Sequence, residues 1–262
     1  QVRERAALLD APPCLAAVSV GAQPDDRAYL RSIAQAAEGC GIVVRPVPLP
    51  ADCAPEALTD TLRALSTDGA VHGVLLLRPL PEALRAQEIL DTLDARKDVD
   101  GMTTASLGTL VTGAAGFAPC TAEACMELLR AHGIDPAGRR VTVVGRSLVI
   151  GRPAALLLTR ADATVTLCHR KTPDLAARCR DADILLAAAG APGLITTDFV
   201  RPGQIVLDAG ATALPDGTLR GDVAPDAAAI AVCTPVPGGI GSVTTALLLR
   251  HTVQAAENLR HF

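Results

Sequence analysis

Lysine is nearly missing from this 262-residue chain, where Lys97 and Lys171 stand against 22 arginines. Few amines are therefore available to act as a proton-moving base. The Ala- and Arg-rich usage reads as the mark of a GC-rich coding sequence. Aromatic residues are equally scarce, with no Trp, one Tyr (Tyr29) and three Phe. There is no basic block either: 24 basic and 28 acidic side chains are intermixed, for a net charge of −4. Those two deficits argue against a nucleic-acid surface, which needs basic stripes and stacking platforms. No apolar run approaches the roughly 20 residues of a membrane span. The opening residues 1–5 are polar, show no secretory signal and read as part of a first helix. Eight cysteines occur without a single C-x-x-C pair and mostly within apolar runs. A disulfide framework and a metal site are thus not expected, and a reduced, cytoplasmic protein is.

What the chain does have is alternation. Apolar runs at 15–20, 42–47 and 73–77 read as strands, and 25–38, 55–66 and 81–93 read as helices. The run 73–77 is apolar throughout, as in strands covered on both faces. Residues 101–119, rich in Gly, Thr and Ala without periodicity, read as a loop at a domain edge. A helix is expected over 121–131 with Thr121 as its N-cap. Strands at 141–144, 164–167, 184–188 and 205–209 follow, with helices at 153–160 and 173–181, and a closing helix runs from 244 to about 260. The pattern predicts an α/β fold of two domains facing across a cleft. One takes residues 1–118 and recovers the last helix through 245–262; the other, 119–244, is Rossmann-like.

The segment Val144-Gly145-Arg146-Ser147, with Gly151 and Pro153, joins a buried strand to a helix. Gly145 permits a sharp turn, Gly151 a close backbone approach, and Pro153 suits a first helical turn whose amides face an anion. This is not G-x-G-x-x-G, and an ordinary strand-to-helix turn is the competing reading. The next strand ends in Cys168-His169-Arg170-Lys171-Thr172, without the carboxylate that holds a ribose hydroxyl in NAD sites. Arg146 and Arg170 suit a 2′-phosphate, so the cofactor reads as NADP. The alternative is a solvated basic turn.

These residues bring a family resemblance into view. Val144–Pro153, residues 164–169 and Thr234-Pro235-Val236-Pro237-Gly238-Gly239-Ile240-Gly241 are similar to motifs of the methylenetetrahydrofolate dehydrogenase/cyclohydrolase (FolD-type) family. So are the run from Val71 through Leu76, Leu77, Arg78 and Pro79 to Pro81, Lys97-Asp98-Val99-Asp100-Gly101 and Pro119-Cys120-Thr121, in the family's order. The resemblance implies a folate substrate lying against Tyr29, with Asp100 gripping the pterin. A carboxylate accepts paired hydrogen bonds from an amino-pyrimidine edge. Without the resemblance, Tyr29 reads as core, and Asp98 and Asp100 as a polar turn. Ile33, Leu76, Leu77, Arg78, Pro79, Pro237, Gly238, Gly239 and Gly241 would line the folate side. Gly145, Arg146, Ser147, Gly151, Pro153, His169, Arg170, Gly190 and Ala211 would hold NADP. A homodimer is also implied.

Two departures bear on mechanism. The family's catalytic Lys, four residues after the Tyr, is Ile33 here, and its Gln partner is Leu77. Ser242 and Ser106 replace a Pro and an Asn. Hydride transfer from 5,10-methylenetetrahydrofolate demands orientation, whereas opening the methenyl ring demands activated water and proton movement. The expected activity is therefore an NADP-dependent dehydrogenase with weak or lost cyclohydrolase (hydrolase) activity. Coordinated loss is one reading of the paired change, and drift or repacking the other. Alternatives are a one-carbon enzyme of specialised metabolism that passes the methylene carbon to another nucleophile, and a non-catalytic folate- or NADP-binding paralogue. A shikimate-type dehydrogenase would need a Lys–Asp pair, which is not found. His72, His132, His251 and His261 sit on separate elements and read as surface or satisfied polar groups.

Overall fold

A computed structural model describes residues 1–22 and 24–260; His261 thus lies outside the described residues. The chain divides into two compact units, Gln1–Cys120 with Thr245–Phe262, and Thr121–Thr244.

The first unit is built on a three-stranded parallel sheet. In chain order it contains α1 (Val2–Ala7), β1 (Cys14–Val20), α2 (Pro24–Gly39), β2 (Val43–Leu49), α3 (Pro55–Thr67), β3 (Gly73–Leu76), α4 (Gln87–Leu90) and α5 (Thr104–Thr112). The strand order is β2-β1-β3, so β1 is central and almost wholly buried. Helix α3 presents Leu58, Leu62 and Leu65 at i, i+4, i+7 spacing to Ala16, Val18 and Val74 of the sheet. Parallel strands need helical crossovers, and the βα rhythm of the sequence supplies them.

The second unit carries α6 (Cys120–Ala131), β4 (Arg140–Val144), α7 (Gly151–Arg160), β5 (Thr164–Cys168), α8 (Leu175–Asp181), β6 (Ile184–Ala187) and β7 (Ile205–Asp208). A small hairpin of β8 (Thr212–Ala213) and β9 (Leu219–Arg220), then α9 (Pro225–Ile230) and β10 (Val232–Cys233), complete it. Its parallel sheet runs β10-β7-β6-β4-β5, a doubly wound order in which the chain reverses direction beside β4. The long α10 (Ile240–Leu259) begins in this unit and ends in the first. There its Leu249 and Val253 join Ala6, Ala37 and Ile42 in a shared apolar cluster.

Four expectations need correction. Residues 81–93 do not form one helix: a 3-10 turn (Glu82–Leu84) and α4 are separated by Ala86 in extended conformation. The Gln87 side chain donates to Met102 O at 3.0 Å, tying this segment to a neighbouring loop. Residues 101–119 are not all loop, because α5 lies within them. Thr103 caps it by accepting from Ser106 N, and left-handed Gly113 (φ 76°) ends it. Thr121 is not an N-cap, since α6 already starts at Cys120. The last helix starts at Ile240, four residues earlier than expected, inside the glycine-rich run.

Candidate active site and dinucleotide cradle

In the second unit, the carboxyl ends of β4 and β5 lie side by side. Val144 pairs with Cys168, and Gly145 N donates to Cys168 O at 3.0 Å. Gly145 has φ 119°, and a Cβ there would stand 2.0 Å from Ala188 O. A Cβ on Gly151 would stand 2.0 Å from Gly145 O, so this glycine is required by its own loop's backbone. Ser147 Oγ accepts from Ile150 N at 3.1 Å and Ser147 O from Arg152 N at 3.0 Å, which folds the loop onto the start of α7. Pro153 is buried in the first turn of α7.

After β5, His169 and Thr172 close a tight turn: His169 N donates to Thr172 Oγ1 at 2.9 Å and Thr172 N to His169 O at 2.7 Å. Arg146 and Arg170 are both exposed, and no acidic side chain among the described residues pairs with either. Arg140, at the opposite end of β4, is by contrast paired with Asp181 and Asp183. A bare glycine turn opening a helix, two unpaired guanidinium groups and no carboxylate in the turn 169–172 after β5 fit a dinucleotide bearing a 2′-phosphate.

The loop after β6 is held by a residue absent from the sequence reading. Asp222, fully buried, accepts from the backbone amides of Ala189, Gly190 and Ala191 at 2.6–3.0 Å. Asp208, at the end of β7, accepts in turn from the amides of Gly210, Asp222 and Val223. Burial pushes the Asp208 carboxyl above its ordinary range, against those bonds. Gly190 (φ 63°) and Ala211 thus lie on loops fixed by the two acids. The only signal in the sequence is an acidic residue closing an apolar strand. Pro237, Gly238 (φ 99°), Gly239 and Gly241 belong to this same unit. Gly239 is packed so that a Cβ would meet Pro235 O at 2.4 Å.

The first unit gathers a second set. Tyr29 lies on α2, 41% exposed, and Ile33, one turn further on, is fully buried. Leu77, just beyond β3, is buried as well. Asp98 and Asp100 turn out to do different work. Asp98 holds the turn, accepting from Met102 N at 3.0 Å and Thr103 N at 2.7 Å. Asp100 makes no such backbone bonds. Desolvation first, and then the charge of Asp98, raise its carboxyl to about 6; a hydrogen bond with Cys120 and the charges of Arg78 and His251 oppose the rise. Burial, then Asp100 and Cys120, push the Tyr29 hydroxyl upward, which sets Tyr29 and Asp100 within electrostatic reach of each other. Cys120 and His251, missed as site neighbours in the sequence, stand 3.6 Å apart, with His251 Nδ1 2.8 Å from Val99 O. Gly101 is needed for the turn: φ is 66°, and a Cβ would meet Phe117 O at 2.6 Å.

Lys97, the single lysine of this unit, is occupied elsewhere. Its Nζ donates to Leu65 O at 3.1 Å and Asp68 O at 2.7 Å. His72 accepts from Cys14 N at 3.0 Å, and His132 is exposed. Arg78, between Leu77 and exposed Pro79, has Nε and Nη2 buried without a hydrogen-bond partner among the described residues. Leu76, half-buried, ends β3 beneath them in sequence.

Comparison with known proteins now decides the family. Residues 1–100 match the catalytic domain of tetrahydrofolate dehydrogenase/cyclohydrolase, and residues 119–260 match the NAD(P)-binding domain of the same family. The chain belongs to that family. Among curated relatives, the bifunctional protein FolD 1 of Rhodococcus jostii is 50% identical over 248 residues, covering 93% of this chain and 83% of that one. Among solved structures, the bifunctional FolD enzyme of Campylobacter jejuni superposes with a TM-score of 0.93 at 38% identity, covering 98% of this chain and 93% of that one. The Trypanosoma brucei FolD, complexed with NADP cofactor and inhibitor, gives 0.92 at 36% identity, covering 98% and 92%. Shikimate 5-dehydrogenase of Thermus thermophilus, at 19% identity and a TM-score of 0.58 (94% of this chain, 99% of that one), shares the fold alone. Within the tetrahydrofolate dehydrogenase/cyclohydrolase family, then, this chain is a two-domain α/β member with a Rossmann-like nucleotide-binding domain.

Proposed function

We propose that this protein catalyses the NADP-dependent oxidation of 5,10-methylenetetrahydrofolate to 5,10-methenyltetrahydrofolate and has lost the hydrolytic step. The observation that carries the reading is that Tyr29 lies within electrostatic reach of Asp100 in a unit where Ile33 and Leu77 are buried aliphatics. Tyr29 offers a ring face for the pterin to stack on. Asp100, once ionised, accepts two parallel N–H bonds from the 2-amino-pyrimidine edge and fixes the ring's rotation. NADP, when bound by Gly145, Arg146, Ser147, Gly151 and Arg170, supplies the acceptor for a hydride from the methylene carbon. The positive charge left on the folate is shared between N5 and N10, so no protein base is required for that step.

Hydrolysis asks for more. A water must lose a proton as it attacks the methenyl carbon, and neither Ile33 nor Leu77 accepts or relays one. Lys97 is held by two carbonyls, and burial lowers its pKa there. Within this reading, residues 1–118 with 245–262 carry the folate, residues 119–244 carry the cofactor, and the protein is a cytoplasmic homodimer. Light scattering of the purified protein tests the dimer.

The activity is tested by incubating the protein with 5,10-methylenetetrahydrofolate and NADP. Reduced cofactor and the methenyl product should accumulate together in equal amounts. Release of 10-formyltetrahydrofolate faster than the uncatalysed ring opening would refute loss of the hydrolytic step. No turnover with NADP would refute the activity itself.

A further inference from the structure

Arg78, expected only to line the folate side, has no defined contact in the reaction as described, yet its placement is costly. Its Nε and Nη2 are buried and find no acceptor among the described residues. Buried guanidinium donors are rarely left so, because desolvation is uncompensated until a partner arrives. Neither nearby carboxylate accepts from these two N–H groups. Both oxygens of Asp98 accept backbone amides, and Asp100 is bonded to Cys120. His251, on α10, faces Val99 O and Cys120. Burial lowers the Arg78 pKa, while the charges of Asp100 and Asp98 hold it up, so the cation lies within electrostatic reach of the carboxylate proposed to read the pterin.

The amino-oxo-pyrimidine end of a folate presents three groups in a row: the 2-amino group, N3–H and the 4-oxo oxygen. A carboxylate satisfies the two donors and leaves the oxygen without a partner. A neighbouring guanidinium with two free N–H groups is the complement of that oxygen. We propose that Arg78 is a substrate-positioning and specificity-determining residue, donating from Nε–H and Nη2–H to the 4-oxo group of the pterin while Asp100 accepts from the adjoining N–H edge. The proposal rests on the folate reading above and extends it to a residue that stands where the chain also carries its aliphatic replacements.

The test compares tetrahydrofolate with 4-amino-4-deoxytetrahydrofolate, which presents a donor in place of the oxygen, by calorimetry on wild type and Arg78→Met. The wild type should favour the 4-oxo ligand. Arg78→Met should weaken tetrahydrofolate binding by roughly ten- to hundredfold, the scale of a hydrogen bond to a charged group, and leave the 4-amino ligand within about threefold. In turnover the loss should fall mainly on KM, and the acid limb of kcat/KM should move to higher pH as Asp100 loses a neighbouring cation. Arg78→Lys keeps the charge without the paired donors and should retain only part of the discrimination. It also serves if Arg78→Met fails to fold. An unchanged ratio of the two affinities, or an equal loss for both ligands, would overturn the role given to Arg78. If the wild type turns over the folate while the ratio stays fixed, only this role falls. If the wild type binds neither ligand, the folate reading falls with it.

Discussion

Asp98 and Asp100 are two residues apart and chemically identical, and their surroundings give them opposite tasks. Asp98 has its oxygens satisfied by backbone amides and is structural. Asp100 is desolvated and raised to about 6, which makes it costly to keep ionised and available for a ligand. In the proposed role the ionised form binds the substrate, so kcat/KM should fall about tenfold per pH unit below pH ~6, as a pH–rate profile of the free enzyme would show. The stability effect has the opposite sign. A carboxyl whose pKa is raised by folding contributes fully below the unfolded value near 3.8, and that contribution is lost as pH rises through about 6. Asp100→Asn should therefore stabilise the empty protein at pH 8 by up to roughly 3 kcal/mol and have little effect near pH 4. Thermal melts at the two pH values check this, and the same variant should lose folate binding. The residue types at 29, 33, 77 and 100 were open to reading because each falls in a motif. The difference between the two aspartates was not, since it depends on which amides reach each carboxylate.

Elements with a strong period were legible, and those defined by caps or by distant partners were not. Strand β1 and helix α3 announce themselves through a buried run and an i, i+4, i+7 stripe. Helix α5 is composed of Thr, Ala, Ser, Leu, Gly and Val, which look like loop by composition. What makes it a helix is Thr103 at one end and Gly113 at the other. The expected helix over 81–93 failed for the converse reason: its leucines are buried, but from two short turns whose geometry the Gln87 bond to Met102 helps to set. The turn from β4 to α7 was placed correctly from its glycines, though the bulk that Gly151 avoids is the backbone of Gly145. Gly151→Ala should force that loop apart, because its Cβ would fall 2.0 Å from Gly145 O. The expected outcome is a loss of NADP affinity of tenfold or more, read by cofactor titration, with a stability cost of about 1–3 kcal/mol in urea unfolding. Retained affinity would mean that the loop is not the cofactor's cradle.

Across the whole molecule the two activities of the family make unequal demands, and that inequality lets one be lost alone. Hydride transfer needs a held pterin and a held cofactor, tasks that the function proposed above gives to Tyr29, Asp100 and the β4–α7 turn. Hydrolysis needs in addition a group that takes a proton from water, and Ile33 is fully buried where the family resemblance places that group. The converse substitution is informative because it runs against stability. Ile33→Lys alone introduces an amine into a fully buried position and should cost several kcal/mol, with the amine's pKa driven down by desolvation. Adding Leu77→Gln supplies the polar partner that the resemblance pairs with it, so part of that cost should return in a double-mutant cycle. If the aliphatic pair is what silences hydrolysis, the double variant should release 10-formyltetrahydrofolate faster than the uncatalysed rate while the wild type does not. Its rate should climb with pH through the lowered amine pKa, because only the neutral amine accepts the proton. A folded double variant that still halts at the methenyl product would show that the loss of hydrolysis lies elsewhere in the chain.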